Sequence, residues 1–483
     1  MPGTLDDPNS AGLAGPAVPA AAVRPLVELL TLAVPTIAQM ASYTVAQFID
    51  TYMLSHVGDL PATAVGQASL VSFTFVSFGV GVMMMVNALV SQSVGRGDLA
   101  ACGQFLWQGV WVGLGLGVLA VPLALGGGSI FAALGHPPEL ARLEATFFAI
   151  TVSFAGLKLV EVALGQFLLA IGRPNVVLVA AVAGVLCMIA FNYTFIYGHF
   201  GMPRLGVAGA AWGLNLAVLV EGGVLAGFIA LAGVGKRFNV ADWRPRWQQL
   251  KLLLVTGIPS GAQVVSEVAA WALFTVWVIG RFPPDVMAAN TYTFRYMSVS
   301  FMPAFGLSTA VTALVGRYVG MGRPDVAVRR AHLGFAVAAV YMLACGLLFL
   351  FARRWLMNVF TDDPAVVAAG GTLLVFAAVY QCFDAMYIVY NGGLRGAGDT
   401  FVPAVVVGTM CWAVVIGGGY LMARFAPGLG VAGPWVAASA YGACVGVFLF
   451  ARFTRGRWRT IRLDRDGASD TLPGSERVAP AVG

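Results

Sequence analysis

Apolar runs of about 20 or more residues recur along nearly the whole 483-residue chain. As helix, each is long enough to cross a hydrocarbon core roughly 30 Å thick. Twelve can be marked, at 27–56, 66–92, 104–127, 145–170, 175–198, 207–233, 250–281, 289–316, 332–353, 368–394, 401–424 and 430–452. Composition agrees: apolar residues make up 59% of the chain and charged residues 10%, far below the near-quarter charged content of a soluble domain. The expected fold class is an all-α integral membrane protein.

The basic residues orient the spans. Twenty of the 28 Lys and Arg residues fall on the side of the two termini, against six on the other side, Arg142, Arg204, Arg281, Arg353, Arg354 and Arg424. Under the positive-inside rule both termini are cytoplasmic. The net charge of +6 then reflects loops facing anionic lipid, and no nucleic-acid partner is needed. Lys158 and Arg295 stay within spans. Cys102, Cys187, Cys345, Cys382, Cys411 and Cys444 are scattered without CxxC or Cys/His spacing and read as small core residues. Residues 1–22, rich in Ala, Pro and Gly with no basic n-region, read as a disordered tail rather than a signal peptide; residues 454–483 read as a basic, then disordered, tail.

Shifted by about 225 residues, the chain matches itself at three loop signatures in the same order. Ala88–Gly97 matches Ala313–Gly322, Gly165–Pro174 matches Asn391–Thr400, and Leu205–Trp212 matches Leu429–Trp435. The chain therefore reads as two six-helix lobes, 23–234 and 251–453, joined by a cytoplasmic linker at 235–250. An even number of spans per unit makes the repeat parallel, with a pseudo-two-fold axis along the membrane normal, as suits lobes that rock around a central cavity. The linker holds Trp243-Arg-Pro-Arg-Trp247 and reads as a solvated or interfacial connector.

Five acids lie well inside these spans, away from their ends: Asp50, Glu161, Glu221, Glu267 and Asp384. A carboxylate at bilayer depth costs roughly 2.5–3.5 kcal/mol and persists where it faces a bundle interior or a watery cavity, so each is a candidate for function. Gln263 and Glu267 stand at i,i+4, as do Tyr380 and Asp384, while Lys158 and Glu161 stand at i,i+3 and read as an internal ion pair. Ser266 and Tyr387 are hydroxyls that would satisfy the second-lobe acids if those were merely structural. Gln39, Tyr43, Gln47 and Asp50 share one stripe of the first span, a polar face toward the lobe interior or cavity. Arg295 is placed to pair with one of the acids, and Glu221 shows no partner.

The residues resemble the multidrug and toxic compound extrusion (MATE) family, its NorM-like branch in particular. The resemblance rests on Pro35 and Asp50-Thr-Tyr-Met-Leu-Ser-His-Val-Gly58, on Leu89-Val-Ser-Gln-Ser-Val-Gly95 and on Asn192-Tyr-Thr-Phe-Ile-Tyr-Gly198. It continues with Gly257-Ile-Pro259 ahead of Glu267, Leu314-Val-Gly316 with Gly320, and Leu394-Arg-Gly-Ala-Gly-Asp-Thr400. It implies export of bulky, often cationic amphipathic compounds by alternating access, driven by entry of sodium or protons. It also implies a coupling-cation site at Glu267, Asp384 and Tyr380, a first-lobe acid at Asp50 supported by Asn192, and polar lining from Gln47, Tyr43 and Gln263. No cofactor is implied, and any sodium would sit at Glu267 and Asp384. The expected setting is a bacterial inner membrane, with small drug-like molecules and lipid as partners and a monomer as the working unit. The twelfth span has no acid, a departure from some sodium-linked members.

Other functions fit less well. A flippase for a lipid-linked precursor needs more cavity cations than Lys158 and Arg295. A membrane enzyme needs ligand-like or nucleophilic clusters, yet His56, His136, His199 and His332 lie far apart. No filter-like loop or charged ring marks a channel.

Overall fold

A computed structural model describes residues 24–461, and among them it is helical with no strand. The two expected disordered tails, 1–22 and the end of 454–483, lie outside the described residues. Eleven helices are long and apolar enough to cross a membrane, and a bent pair brings the number to twelve. They are α1 Pro25–Ser55, α2 Asp59–Arg96, α3 Leu99–Leu125, α4 Pro138–Ser153 plus Ala155–Ala170, α5 Pro174–Tyr197, α6 Val207–Leu231, α7 Trp247–Arg281, α8 Pro284–Gly320, α9 Pro324–Phe351, α10 Pro364–Ala397, α11 Phe401–Phe425 and α12 Ala432–Thr454.

Every expected span is present, but several helices outrun it. The 38 residues of α2 measure about 57 Å at 1.5 Å per residue. Hydropathy sees only the stretch in lipid, whereas the helix ends are set by local chemistry. Prolines begin α1, α4, α5, α8, α9 and α10, where the missing N–H costs nothing. Asp98 and Asp363 cap α3 and α10 by accepting from Ala101 and Ala365 N–H at 3.0 and 2.9 Å. Glycines in the left-handed region, such as Gly97 and Gly398, end α2 and α10.

The fourth span is not straight: it bends by 48° at Phe154. Beside the break α3 and α4 touch backbone to backbone, and a Cβ on Gly117 would lie 2.4 Å from the Gly156 Cα.

Packing within each lobe follows one pattern twice. In the first lobe α4 packs on α2, α3 and α6, and α5 packs on α6 and α1; in the second, α10 packs on α8, α9 and α12, and α11 on α12 and α7. The lobes meet through reciprocal pairs, α1 on α8 and α7 on α2, with α2 on α8 between them. That arrangement is what a two-fold axis generates.

The described contacts between the lobes gather in the half of the bundle nearer the termini. Leu29, Leu32 and Ala33 of α1 join the second lobe's core, while Leu253 of α7 joins the first lobe's. At the same end Glu28 of α1 takes hydrogen bonds from Tyr318 at 2.8 Å and Arg330 at 2.6 Å. Gln92 donates to the Gly396 carbonyl at 2.9 Å. The far half of the first lobe has its own core around Met53, Val65, Phe131 and Phe148, with no second-lobe residue in it. The lobes thus form a V, shut at the terminal face.

Several cations that the sequence sorts to the terminal side lie on helices, three of them at or near the seam between lobes. Arg317 lies in the last turn of α8, Arg330 in α9 and Arg395 in the last turn of α10. Arg330 and Arg395 are buried, because helices that extend past the lipid carry their flanking charges into the seam between lobes. The segment between the lobes is pinned along α3: Trp107 and Trp111 donate to the Val240 and Trp243 carbonyls at 2.6 and 3.0 Å.

Candidate functional site

The second-lobe site is assembled by α7, α10 and α12. Glu267 lies on α7, half-buried, eight residues past the helix proline Pro259. Both its oxygens accept from the Tyr387 hydroxyl on α10, at 2.6 and 2.7 Å, and one also accepts from Tyr441 on α12 at 3.2 Å. Gln263, one turn before Glu267, donates to the Tyr387 oxygen at 3.4 Å. Hydrogen bonds to a charged acceptor are worth about 1.5–3 kcal/mol each, so a carboxylate here is held without being sealed.

Asp384 stands three residues from Tyr387 on the same face of α10 and is buried, with no hydrogen bond to a described residue. The sequence sets it beside Tyr380 at i,i+4, and the Tyr380 ring packs edge-on against Trp271 at 6.0 Å. An aromatic side chain at i−4 has other neighbours available, and Gly442 on α12 makes the room: a Cβ there would come 2.8 Å from the Tyr380 ring. Trp271 also faces Tyr441, Phe274 and Phe294, so aromatic rings wall the site. Ser266 takes no part and accepts from Trp412 at 2.9 Å.

In the first lobe the expected single stripe on α1 divides into two sites. Near the far end, Asn192 of α5 donates to Asp50 at 2.7 Å, the pair that the sequence motif brings to mind. Gly213 on α6 leaves space for it, since a Cβ there would stand 1.9 Å from the Asn192 Oδ1. Gly213→Ala is therefore expected to push Asn192 off Asp50 and lower stability by about 1–3 kcal/mol, read as a drop in the melting temperature of the purified protein; an unchanged melting temperature would mean that the pair contributes nothing. Deeper, Tyr43 donates to Glu221 on α6 and Gln39 donates to Tyr43 at 3.1 Å. Lys158 and Glu161 are paired at 2.6 Å.

Gln47 is exposed and its side chain joins neither hydrogen-bonded site. One expectation fails. Arg295 is exposed and makes no ion pair with a described residue, so it does not compete at the acids. Sequence reasoning also missed Tyr441, since attention to acids in span twelve passed over its hydroxyl. It missed the Glu28–Tyr318–Arg330 contact and the 2.7 Å pair between His136 and fully buried Glu144 as well. Among the described residues no group of three or more His, Cys, Asp and Glu could hold a metal ion.

Comparison with known proteins gives one consistent picture. The MatE family model matches residues 35–194 and 259–421. The probable multidrug resistance protein NorM of Pseudomonas aeruginosa is 32% identical over 91% of each chain. The multidrug resistance protein PmpM of the same organism is 28% identical over 92% of this chain and 96% of its own. Among solved structures, the eukaryotic MATE transporter AtDTX14 superposes with a TM-score of 0.81 at 20% identity, covering 90% of this chain and 97% of its own. A MOP-superfamily transporter from Pyrococcus furiosus gives 0.81 at 18% identity, covering 90% and 96%.

Proposed function

The chain belongs to the MatE family and is a membrane transporter rather than an enzyme, and we propose that it exports bulky, often cationic amphipathic drugs or toxic metabolites in exchange for sodium ions or protons. The lobes taken to rock run over 23–234 and 251–453, both termini are cytoplasmic in a bacterial inner membrane, and the monomer is the working unit. On that orientation the V is closed to the cytoplasm and open outward.

One observation carries the reading: Glu267 is held by hydroxyls from two other helices of its lobe, and one of them, Tyr387, lies three residues along α10 from a second carboxyl, Asp384. Loading or emptying that site alters the net charge where α7, α10 and α12 meet, and so changes which packing of the lobe is favoured. Glu267 and Asp384 bind a proton as acids, and with the lone pairs of the Tyr387 and Tyr441 hydroxyls they also supply the oxygen ligands that a hard cation takes. The rings of Trp271, Tyr380 and Phe294 offer flat apolar surface and quadrupoles suited to an amphipathic cation.

The test is ethidium export from proteoliposomes under an imposed pH gradient and, separately, a sodium gradient. Asp384→Asn is expected to lower the rate driven by the coupling ion by about tenfold. Equal export by wild type with no gradient, or full coupled export by the variant, would reject the reading.

A further inference from the structure

The group Tyr43, Lys158, Glu161 and Glu221 is not used by the second-lobe site, and its position in the repeat is informative. The register that matches 165–174 to 391–400 sets Lys158 against Asp384 and Glu161 against Tyr387. Helices α1, α4 and α6, which carry the group, correspond to α7, α10 and α12, which carry Glu267, Asp384, Tyr387 and Tyr441. The same three-helix junction is therefore polar in both lobes, with acid and phenol exchanged. In the second lobe a carboxylate on the lobe's first helix accepts from tyrosines on its fourth and sixth; in the first lobe a tyrosine on the first helix donates to the carboxylate on the sixth.

The charges do not balance. Glu161 and Glu221 are both buried on helices that pack together, a Cβ on Gly222 coming 3.6 Å from the Glu161 Cβ, and only Lys158 offsets them. Lys158 also lies 5.5 Å from the Tyr43 ring centroid. Elements packed around the group add no further cation at this depth. Helix α2 carries no charge between Asp59 and Arg96, α3 and α5 carry none within their spans, and Glu221 is the one charged residue of α6. Asp50 and Glu28 lie toward the two ends of α1, and Glu139, Arg142 and Glu144 near the far end of α4. Cys187 on α5, one turn past the Gly184 that abuts Glu221, is a free cysteine. From the second lobe Arg317 reaches α4 only at the Ala170 carbonyl, at the terminal end.

Two buried carboxyls beside one ammonium leave one negative charge in excess, which a proton on either carboxyl removes. The site is also reachable: the Lys158 side chain is 36% exposed, and a lysine at this depth faces water rather than lipid. We propose that Glu161 and Glu221, with Lys158 and Tyr43, form a second coupling site, in the first lobe, that takes up and releases one proton. A metal cation is excluded by the Lys158 ammonium, so this site is proton-specific even if the second-lobe site takes sodium. Loading transfers a proton from water in the cleft to the carboxyl pair, and release returns it; no other bond changes.

The proposal rests on the antiport reading, and its test separates the two. Infrared difference spectra of the purified protein, recorded across pH, should show a protonated-carboxyl band that is lost in both Glu221→Gln and Glu161→Gln, since either change leaves one acid balanced by Lys158. The band should return in the double variant Lys158→Gln with Glu161→Gln, where Glu221 again lacks a cation. In proteoliposomes Glu221→Gln should lower the protons exchanged per ethidium by about one. A band that survives both single variants, or an unchanged proton count in an exporting Glu221→Gln, overturns the second site. If wild type shows the band yet no ion-driven export, the antiport reading fails and the coupling role falls with it.

Discussion

Glu267→Gln is expected to lower ion-driven ethidium export at least about tenfold, equivalent to about 1.4 kcal/mol in the coupled step. The amide matches the carboxylate in size and its carbonyl still accepts from Tyr387. Its NH2, however, replaces an acceptor that now faces a donor hydroxyl, at 2.6–3.2 Å, and the side chain no longer changes charge. With no charge to load or empty, the ion gradient has nothing to act on at the junction of α7, α10 and α12. Tyr387→Phe should be milder, because Tyr441 still donates to Glu267. Initial export rates in proteoliposomes, with matched amounts of protein, make the comparison. Wild-type coupled rates from Glu267→Gln would mean that the drive enters elsewhere.

The second large effect is expected at the crossing of α2 and α8. A Cβ on Gly320 would stand 2.1 Å from the Gln92 carbonyl oxygen, and one on Gly95 would stand 2.1 Å from that of Arg317. Both obstacles are backbone, so no rotamer relieves them. The two positions are equivalent in the repeat, and each side of the seam meets the same limit. Overpacking costs about 1–3 kcal/mol, enough to reduce the closed terminal face by roughly ten- to hundredfold relative to open forms. Gly320→Ala should therefore raise maleimide labelling of a cysteine at Ser91, which lies buried against Gly316, in a background without the six native cysteines. Export should fall with it, since the seam must close in each cycle. Gly115→Ala, with open space around its Cβ, is the control; labelling that rises equally in both, or in neither, would show that the seam is not the gate.

Lys158 and Glu161 were legible as a pair because i,i+3 neighbours on a helix meet whatever surrounds them. Asn192 was legible through its motif. Glu221 was not, since its donor Tyr43 lies 178 residues away on a helix that is brought to it by α5, which packs on both α1 and α6. Tyr380 was legible as a neighbour of Asp384 by its spacing, but its contact with Trp271 and the room that Gly442 leaves for its ring come from other helices and were not. Arg295 was assigned by depth alone, and depth does not say which way a helix face looks.

By itself the amino-acid order determined the number of membrane crossings, the duplication and which acids lie deep within the spans, because lipid penalises exposed polarity and every crossing must repeat the same apolar length. Only the tertiary structure decided which hydroxyl meets which carboxylate, which glycines form the seam and which end of the V is shut. Those depend on helix rotation and on contacts between residues distant in the chain, fixed by packing of side chains at close range rather than by the hydropathy of any one span.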